Sequence, residues 1–290
     1  MSDAGTITLG DLEVDRLGFG AMRITGPGVW GPPARSPDAP DGAIALLRRA
    51  VELGVNFIDT ADSYGPNVSE ELIAAALAPY DGVVVATKAG LTRSGPGRWS
   101  PDGRPEYLRA ALDGSLRRLR LEQIDLYQFH RPDPAVPFAE SLGFFIEARA
   151  AGKIRHIGLS NVTVAQLEQA LEMTEIVSVQ NRYSALDRDS QLVLDVCTQR
   201  RIAFIPWFPL AAGEAAAATG VLEQIAAAHA ATSSQIALAW LLAASPVMLP
   251  IPGTSQLAHL EENVAAAQIV LDPGELEALN SAGSAARRDR

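Results

Sequence analysis

Eight short apolar runs recur along the chain: RLGFGAM, NFID, VVVATK, DLYQFH, HIGLS, VSVQN, AFIPW and VMLPIP. Each has the length of a strand and is nearly continuous in hydrophobic character, as strands buried on both faces should be. Between them the period becomes helical. Ile44, Leu47 and Val51 share one face of a segment that Asp41 can cap and Gly54 can close. Leu108, Leu112, Leu116 and Leu119 mark a longer helix, and Phe138, Leu142, Phe145 and Ile146 another. Leu192, Val196 and Cys197 repeat the pattern, as do Leu257, Leu260 and Val264. Ahead of these units, TITL-GD-LEV reads as a hairpin turning at Gly10-Asp11. A strand followed by a helix, eight times over, predicts an α/β fold: a (β/α)8 TIM barrel with an N-terminal β-hairpin. No linker or shift in composition divides the chain, so residues 1–290 read as a single barrel domain.

The rival α/β architecture is a doubly wound dinucleotide fold, whose fingerprint is G-x-G-x-x-G at the first strand–helix turn. Gly18-Phe19-Gly20-Ala21-Met22-Arg23 starts that way but ends in arginine, and a long Gly/Pro-rich loop follows where a helix should begin. The rival is rejected.

Charge and composition narrow the function classes. The formal net charge is −10, which argues against nucleic acid and anionic membranes as partners. Of the 24 basic residues only Lys88 and Lys153 are lysine. A preference for arginine reflects coding bias, yet it marks a retained lysine as a position where arginine would not serve. Cys197 is the single cysteine, so an intrachain disulfide and a four-thiolate zinc site are excluded; on the apolar face of its helix it reads as a packing residue. The acidic N-terminus lacks a signal-peptide pattern, and no apolar run approaches the roughly twenty residues of a membrane span. A cytoplasmic protein is expected.

In a barrel, catalytic residues come from the C-terminal ends of several strands and from the loops beyond them. Asp59 ends NFID, Lys88 ends VVVATK, His130 ends DLYQFH, and Tyr64 lies just past Asp59. A tyrosine ordinarily titrates near pH 10, too high for an efficient proton donor. A neighbouring ammonium should lower that value, a carboxylate should keep the ammonium charged, and a histidine can orient a carbonyl oxygen. Together they form a device that protonates a carbonyl oxygen while its carbon is attacked; if the attacker is hydride, a nicotinamide must supply it. The two long loops after the first and third strands carry Trp30 and Trp99, candidate walls of a substrate pocket.

GVNFIDTADSYG, ATKAG, DLYQFH, HIGLSN, VQNRYS and IPGTSQLAHLEENV, in this order and spacing, resemble the aldo-keto reductase family across nearly the whole chain. RLGFGAMRITGPGVWGPP is similar, more narrowly, to the bacterial pyridoxal reductase branch. The resemblance implies an NADP(H)-dependent reductase of small aldehydes or ketones, pyridoxal among them. Tyr64 would be the general acid, Lys88 and Asp59 would tune it, and His130 would orient the carbonyl. The resemblance gives Ser160, Asn161 and Gln180 the nicotinamide carboxamide and stacks Trp207 on the ring. It brings Leu210 to Gly213 near the pyrophosphate through backbone. Thr254, Ser255, Gln256, His259 and Asn263 match the segment that holds the adenosine and its 2′-phosphate. This chain has Gly253 and His259 where many members carry basic residues, which leaves NAD(H) open beside NADP(H).

Other polar residues attract blander readings. His156 and His229 lack a metal-ligand spacing, so no metal is expected. Glu70 and Glu71 suit a helix N-terminus, and Lys153 suits the surface. Two alternative functions compete with this reading: a cofactor-binding accessory subunit with little turnover, and a hydrolase using Asp59 and Asp62 as paired carboxylates. The hydrolase leaves Lys88 and Tyr64 without a task and ranks last.

Overall fold

In the computed structural model, which describes residues 4–33, 42–208 and 216–288, the chain opens with a hairpin of β1 (Thr6–Leu9) and β2 (Leu12–Asp15). Leu9 faces Leu12, and Gly10 takes the left-handed backbone the turn needs, with φ of 66°. The barrel strands follow: β3 (Phe19–Gly20), β4 (Phe57–Asp59) and β5 (Val84–Ala89). A second hairpin, β6 (Leu91–Gly95) and β7 (Arg98–Pro101), comes next. Then come β8 (Ile124–Phe129), β9 (Ile154–Ser160), β10 (Ser178–Gln180) and β11 (Ala203–Phe204). The helices are α1 (Gly42–Glu52), α2 (Val68–Leu77), α3 (Pro105–Leu119), α4 (Phe138–Ala150) and α5 (Val164–Met173). After them run α6 (Gln191–Arg200), α7 (Ala216–Ala228), α8 (Ser233–Ala244), α9 (Leu257–Ala265) and α10 (Pro273–Arg288).

The seven strands β3, β4, β5, β8, β9, β10 and β11 pair in parallel in that order. The predicted eighth strand supplies the closure. Met248 bridges Phe204 in parallel, Leu249 N donates to Phe204 O at 2.8 Å, and Gly18 N donates to Pro250 O at 2.9 Å. Residues 247–251 thus join β11 to β3. Pro250 and Pro252 lack the N–H a longer ladder requires, so the pairing stays brief. At this seam backbones touch closely: a Cβ at Gly253 would lie 2.5 Å from Gly20 O, and one at Gly20 would lie 2.6 Å from Ile251 O.

The N-terminal hairpin seals the barrel at the end where strands begin. Leu9 and Val14 join a buried cluster with Phe57, Leu126, Val177, Ile205 and Leu249. Asp11, at the hairpin tip, accepts from Arg155 and lies 2.6 Å from the His156 ring nitrogen. The opposite end is left for the site.

Several expectations change in detail. The loop after the third strand contains the β6–β7 hairpin, with Arg93 opposite Trp99; Leu91 and Trp99 are its only large apolar side chains, too few to show an alternation. On α6 the inward face is Val193, Leu194 and Cys197, while Leu192 is 70% exposed. Leu192 lies five positions before Cys197, which turns it well off that face. On α9, Leu260 is buried and Leu257 is exposed. The inward side of α1 is centred on Leu46, Leu47 and Ala50, and Asp41 lies outside the described residues. Burial pushes the Cys197 thiol up to about 12, as befits packing. Among the described residues, no single helix is long and apolar enough to cross a membrane.

Glu70 does more than serve a helix start. It sits in the first turn of α2 yet is completely buried. It accepts from Thr87 Oγ1 at 2.6 Å and from Arg118 Nε at 2.7 Å, tying α2 to β5 and α3; Glu71 is the exposed one. Beside this pair Asp62 is buried with less help. It accepts from the Tyr107 hydroxyl at 3.2 Å, and its Oδ1 has no partner. Burial, reinforced by the Glu70 charge, pushes its carboxyl up to about 8.

Gly253→Ala should lower the unfolding free energy by about 1–3 kcal/mol in urea titrations, because the seam must open to admit a methyl. Gly143→Ala, in α4 with nothing within 4 Å of the added carbon, should be neutral or stabilising by up to about 1 kcal/mol. Equal losses at both would contradict the closure argument. Asp62 gives a pH signature. Its folded value lies above its unfolded one, so folding takes up a proton, and stability falls as pH rises toward about 8. Asp62→Asn should flatten that decline, with its stability relative to wild type improving between pH 5 and 8.

Candidate active site

Strand register decides which side chains meet. Asp59 ends β4 beside Ala86 of β5, Lys88 lies opposite Gln128 of β8, and Ser160 lies opposite Gln180. The C-terminal mouth of the barrel therefore gathers Asp59, Lys88, Gln128, His130, Ser160 and Gln180, all nearly or fully buried.

Lys88 Nζ sits 2.6 Å from Asp59 Oδ2 and also donates to Thr60 O at 2.8 Å and to the Tyr64 hydroxyl oxygen at 3.4 Å. Three protons thus have three acceptors. Asp59 Oδ1 accepts from Gln128 Nε2 at 2.9 Å and from Gln180 Nε2 at 2.8 Å. Burial opposes the Lys88 charge, yet Asp59 and the phenol oxygen together raise its pKa above the usual lysine value. The ammonium is held charged.

Tyr64, in the turn between β4 and α2, is 7% exposed, with Lys88 Nζ 5.0 Å from its ring centroid. Its pKa departs from expectation. Burial raises it, Lys88 works against burial, and Asp59 and Asp62 add to the rise, so the net direction is upward. The ammonium acts in the expected sense but loses to desolvation. The phenol is accordingly protonated, and because its oxygen accepts from Lys88, its own hydrogen is free to point elsewhere.

His130 follows β8 directly. Burial, with help from Lys88 and Arg131, holds it well below the usual histidine value, so its ring is neutral. Its Nδ1 lies 3.4 Å from Ser63 Oγ, and its ring meets Tyr64 edge-on at 5.9 Å. All four expected catalytic residues are therefore in one cluster.

The residues expected at the nicotinamide are near one another. Asn161, left-handed at φ of 58°, donates to His130 O and Ser160 Oγ, and its Oδ1 accepts from the Trp207 indole at 3.1 Å. Gln180 uses its Nε2 on Asp59 and on Gln128 Oε1, which leaves its Oε1 as an acceptor. Thr254, just ahead of α9, and Asn263, in its last turn, are buried, while Ser255, Gln256 and His259 are exposed. The missing cation at Gly253 has a local reason, since a side chain there collides with Gly20 O. Leu210 and Gly213 lie outside the described residues.

Trp30 and Trp99 both reach this rim. Trp30 bridges Gly65, next to Tyr64, and Trp99 meets the Tyr64 ring edge-on at 6.3 Å. Gln128 and Ser63 escaped the sequence reading. A lone amide inside the apolar run DLYQFH was the available signal for Gln128. His156 pairs with Asp11 and His229 with Glu275, remote from the mouth; among the described residues no cluster suited to a metal occurs. Lys153 reaches Asp113 in a half-exposed ion pair. With Asp59 bound to Lys88 and two amides, Asp59 and Asp62 do not form the free carboxylate pair a hydrolase needs.

The profile of the Aldo/keto reductase family matches residues 16–284. The chain is 50% identical over 270 residues to an uncharacterized oxidoreductase of Schizosaccharomyces pombe, covering 93% of this chain and 87% of that protein. It is 41% identical over 285 residues to pyridoxine 4-dehydrogenase of Escherichia coli, covering 96% and 98%, which supports the pyridoxal reductase-like branch. An aldo-keto reductase from Klebsiella pneumoniae, solved in complex with NADPH, superposes with a TM-score of 0.78 at 28% identity over 96% of this chain and 94% of that one. By profile, sequence and fold alike, the chain belongs to the aldo/keto reductase family.

Proposed function

We propose that this protein is an NADP(H)-dependent reductase that converts a small aldehyde or ketone to its alcohol, with Tyr64 as proton donor and pyridoxal as a substrate. The observation that carries it is the Asp59–Lys88–Tyr64 chain of contacts, 2.6 Å and then 3.4 Å, beside a neutral His130. Bound NADPH supplies the hydride. The chain's own groups handle the oxygen. The carbonyl oxygen lies against the Tyr64 hydroxyl and His130 Nε2, the ring nitrogen that Ser63 does not face. As negative charge grows on that oxygen, the Tyr64 proton moves to it, and the phenolate left behind is stabilised by Lys88. Asp59 keeps the ammonium charged, and Gln128 and Gln180 keep Asp59 in place. Run backwards, the same groups oxidise the alcohol.

For the cofactor, the free Oε1 of Gln180 suits the nicotinamide carboxamide N–H, with Ser160 and Asn161 beside it and Trp207 as the stacking ring. Thr254, Ser255 and Gln256 at the N-terminus of α9, with His259 and Asn263 along that helix, suit the adenosine and its phosphate. The related reductase solved with NADPH supports NADP(H) over NAD(H). The pyridoxine 4-dehydrogenase likeness supports pyridoxal, with Trp30 and Trp99 as the walls that meet it. A single barrel domain working in the cytoplasm fits this chemistry, and a complete proton-transfer set favours turnover over an accessory role.

Following NADPH absorbance across a carbonyl panel that includes pyridoxal should reveal reduction; cofactor binding without turnover on any member would favour the accessory reading. Tyr64→Phe should lose about 10²–10⁴-fold in kcat while keeping its affinity for NADPH. Lys88→Arg preserves charge but replaces three protons on one atom with a planar fork, and should lower kcat by about tenfold or more. Wild-type turnover in that variant would remove the ammonium geometry from the mechanism.

A further inference from the structure

One side chain at the rim is tied to the backbone of three segments at once. Arg93, on β6, donates from Nη1 to Val29 O at 2.7 Å and to Ser63 O at 3.0 Å. Its Nη2 donates to Gly28 O at 2.8 Å and Gly95 O at 3.4 Å, and its Nε to Arg98 O at 3.1 Å. A guanidinium has five N–H donors, and here each has a carbonyl acceptor. The guanidinium carbon lies 3.6 Å from the Trp99 ring centroid and 5.7 Å from that of Trp30. Ser63, one of the acceptors, immediately precedes Tyr64, and Trp99 in turn meets the Tyr64 ring edge-on.

Because its donors are committed to the backbone, Arg93 has none left for a substrate carboxylate or phosphate. Its geometry is architectural. The loop after β3 also meets the Tyr64 turn through Gly31 N to Gly65 O and Gly65 N to Val29 O, and meets the hairpin through Gly97 N to Gly28 O. Arg93 is the side chain that joins all three segments, and both the loop and the hairpin carry a tryptophan. Lysine could not replace this fork, since its three protons radiate from one point.

We propose that Arg93 is a positioning residue: it clasps the β3 loop and the β6–β7 hairpin to the backbone beside Tyr64 and so holds Trp99 as a fixed wall for large carbonyl substrates. A carbonyl compound that extends from the phenol to the rim meets that wall, whereas a three-carbon aldehyde does not reach it. Arg93 is thus a determinant of substrate size acting through Trp99. The kinetic consequence rests on the reductase reading; the clasp itself does not.

The test compares wild type, Arg93→Lys, Trp99→Ala and the double variant with NADPH, using 4-nitrobenzaldehyde as the large substrate and propanal as the small one. Arg93→Lys should raise KM for the aromatic aldehyde by about tenfold, with kcat moving far less and propanal losing little. In the Trp99→Ala background the same change should add almost nothing. Equal penalties in both backgrounds, or equal losses on both aldehydes, would overturn the proposal. Acrylamide quenching of tryptophan fluorescence, without cofactor or substrate, is the second readout. Arg93→Lys should increase quenching in the wild-type background and not in the Trp99→Ala background. If wild type reduces no carbonyl, the reductase reading fails and the quenching comparison alone decides the clasp. Arg93→Gln, shorter by two bonds and with fewer donors, is the second variant; failure of both to fold would assign Arg93 to stability and overturn the positioning role.

Discussion

A carboxylate and an ammonium 2.6 Å apart, both almost fully removed from water, set the terms for everything around them. Taking two such ions out of solvent costs several kcal/mol each, and their attraction offsets this only when remaining donors and acceptors are satisfied. Here they are. The ammonium's protons go to Asp59, Thr60 O and Tyr64, and the second carboxylate oxygen takes two amides. That arrangement draws on β4, β5, β8 and β10 together, so the register of half the barrel is linked to the chemistry at its mouth.

Three buried acids, Asp59, Asp62 and Glu70, differ in the partners their placement gives them. Asp59 has an ammonium and two amides; Glu70 has the Arg118 guanidinium and a hydroxyl; Asp62 has one phenol and the field of Glu70. Asp59 anchors Lys88 beside Tyr64, Glu70 ties helices to the barrel, and Asp62, with the fewest partners, has its carboxyl pushed up to about 8. The phenol too depends on its placement. Burial outweighs the nearby ammonium, so Tyr64 retains its proton, as the proposed reduction requires.

Much of this was legible along the chain. Apolar runs of strand length located the eight strands, and Asp59, Lys88 and His130 stood out because polar residues ending such runs must face the mouth. The lysine stood out further against a background of arginine. Other features left no such trace. The β6–β7 hairpin has only Leu91 and Trp99 as large apolar side chains, and the left-out positions of Leu192 and Leu257 depended on how their helices turn against the barrel. Glu70 looked like a helix-start residue because only α3 packing against α2 brings Arg118 to it.

The sequence by itself determined the barrel and the ends of its strands, because a strand buried on both faces must write its hydrophobicity locally. Only the tertiary structure decided which acid received which cation, that Gln128 and Gln180 converge on one carboxylate oxygen, and that Arg93 joins three segments. Those pairings connect residues 29 to 121 positions apart in the chain. No periodicity within one element encodes them, because they exist only where closed strands and packed helices bring distant backbones into register.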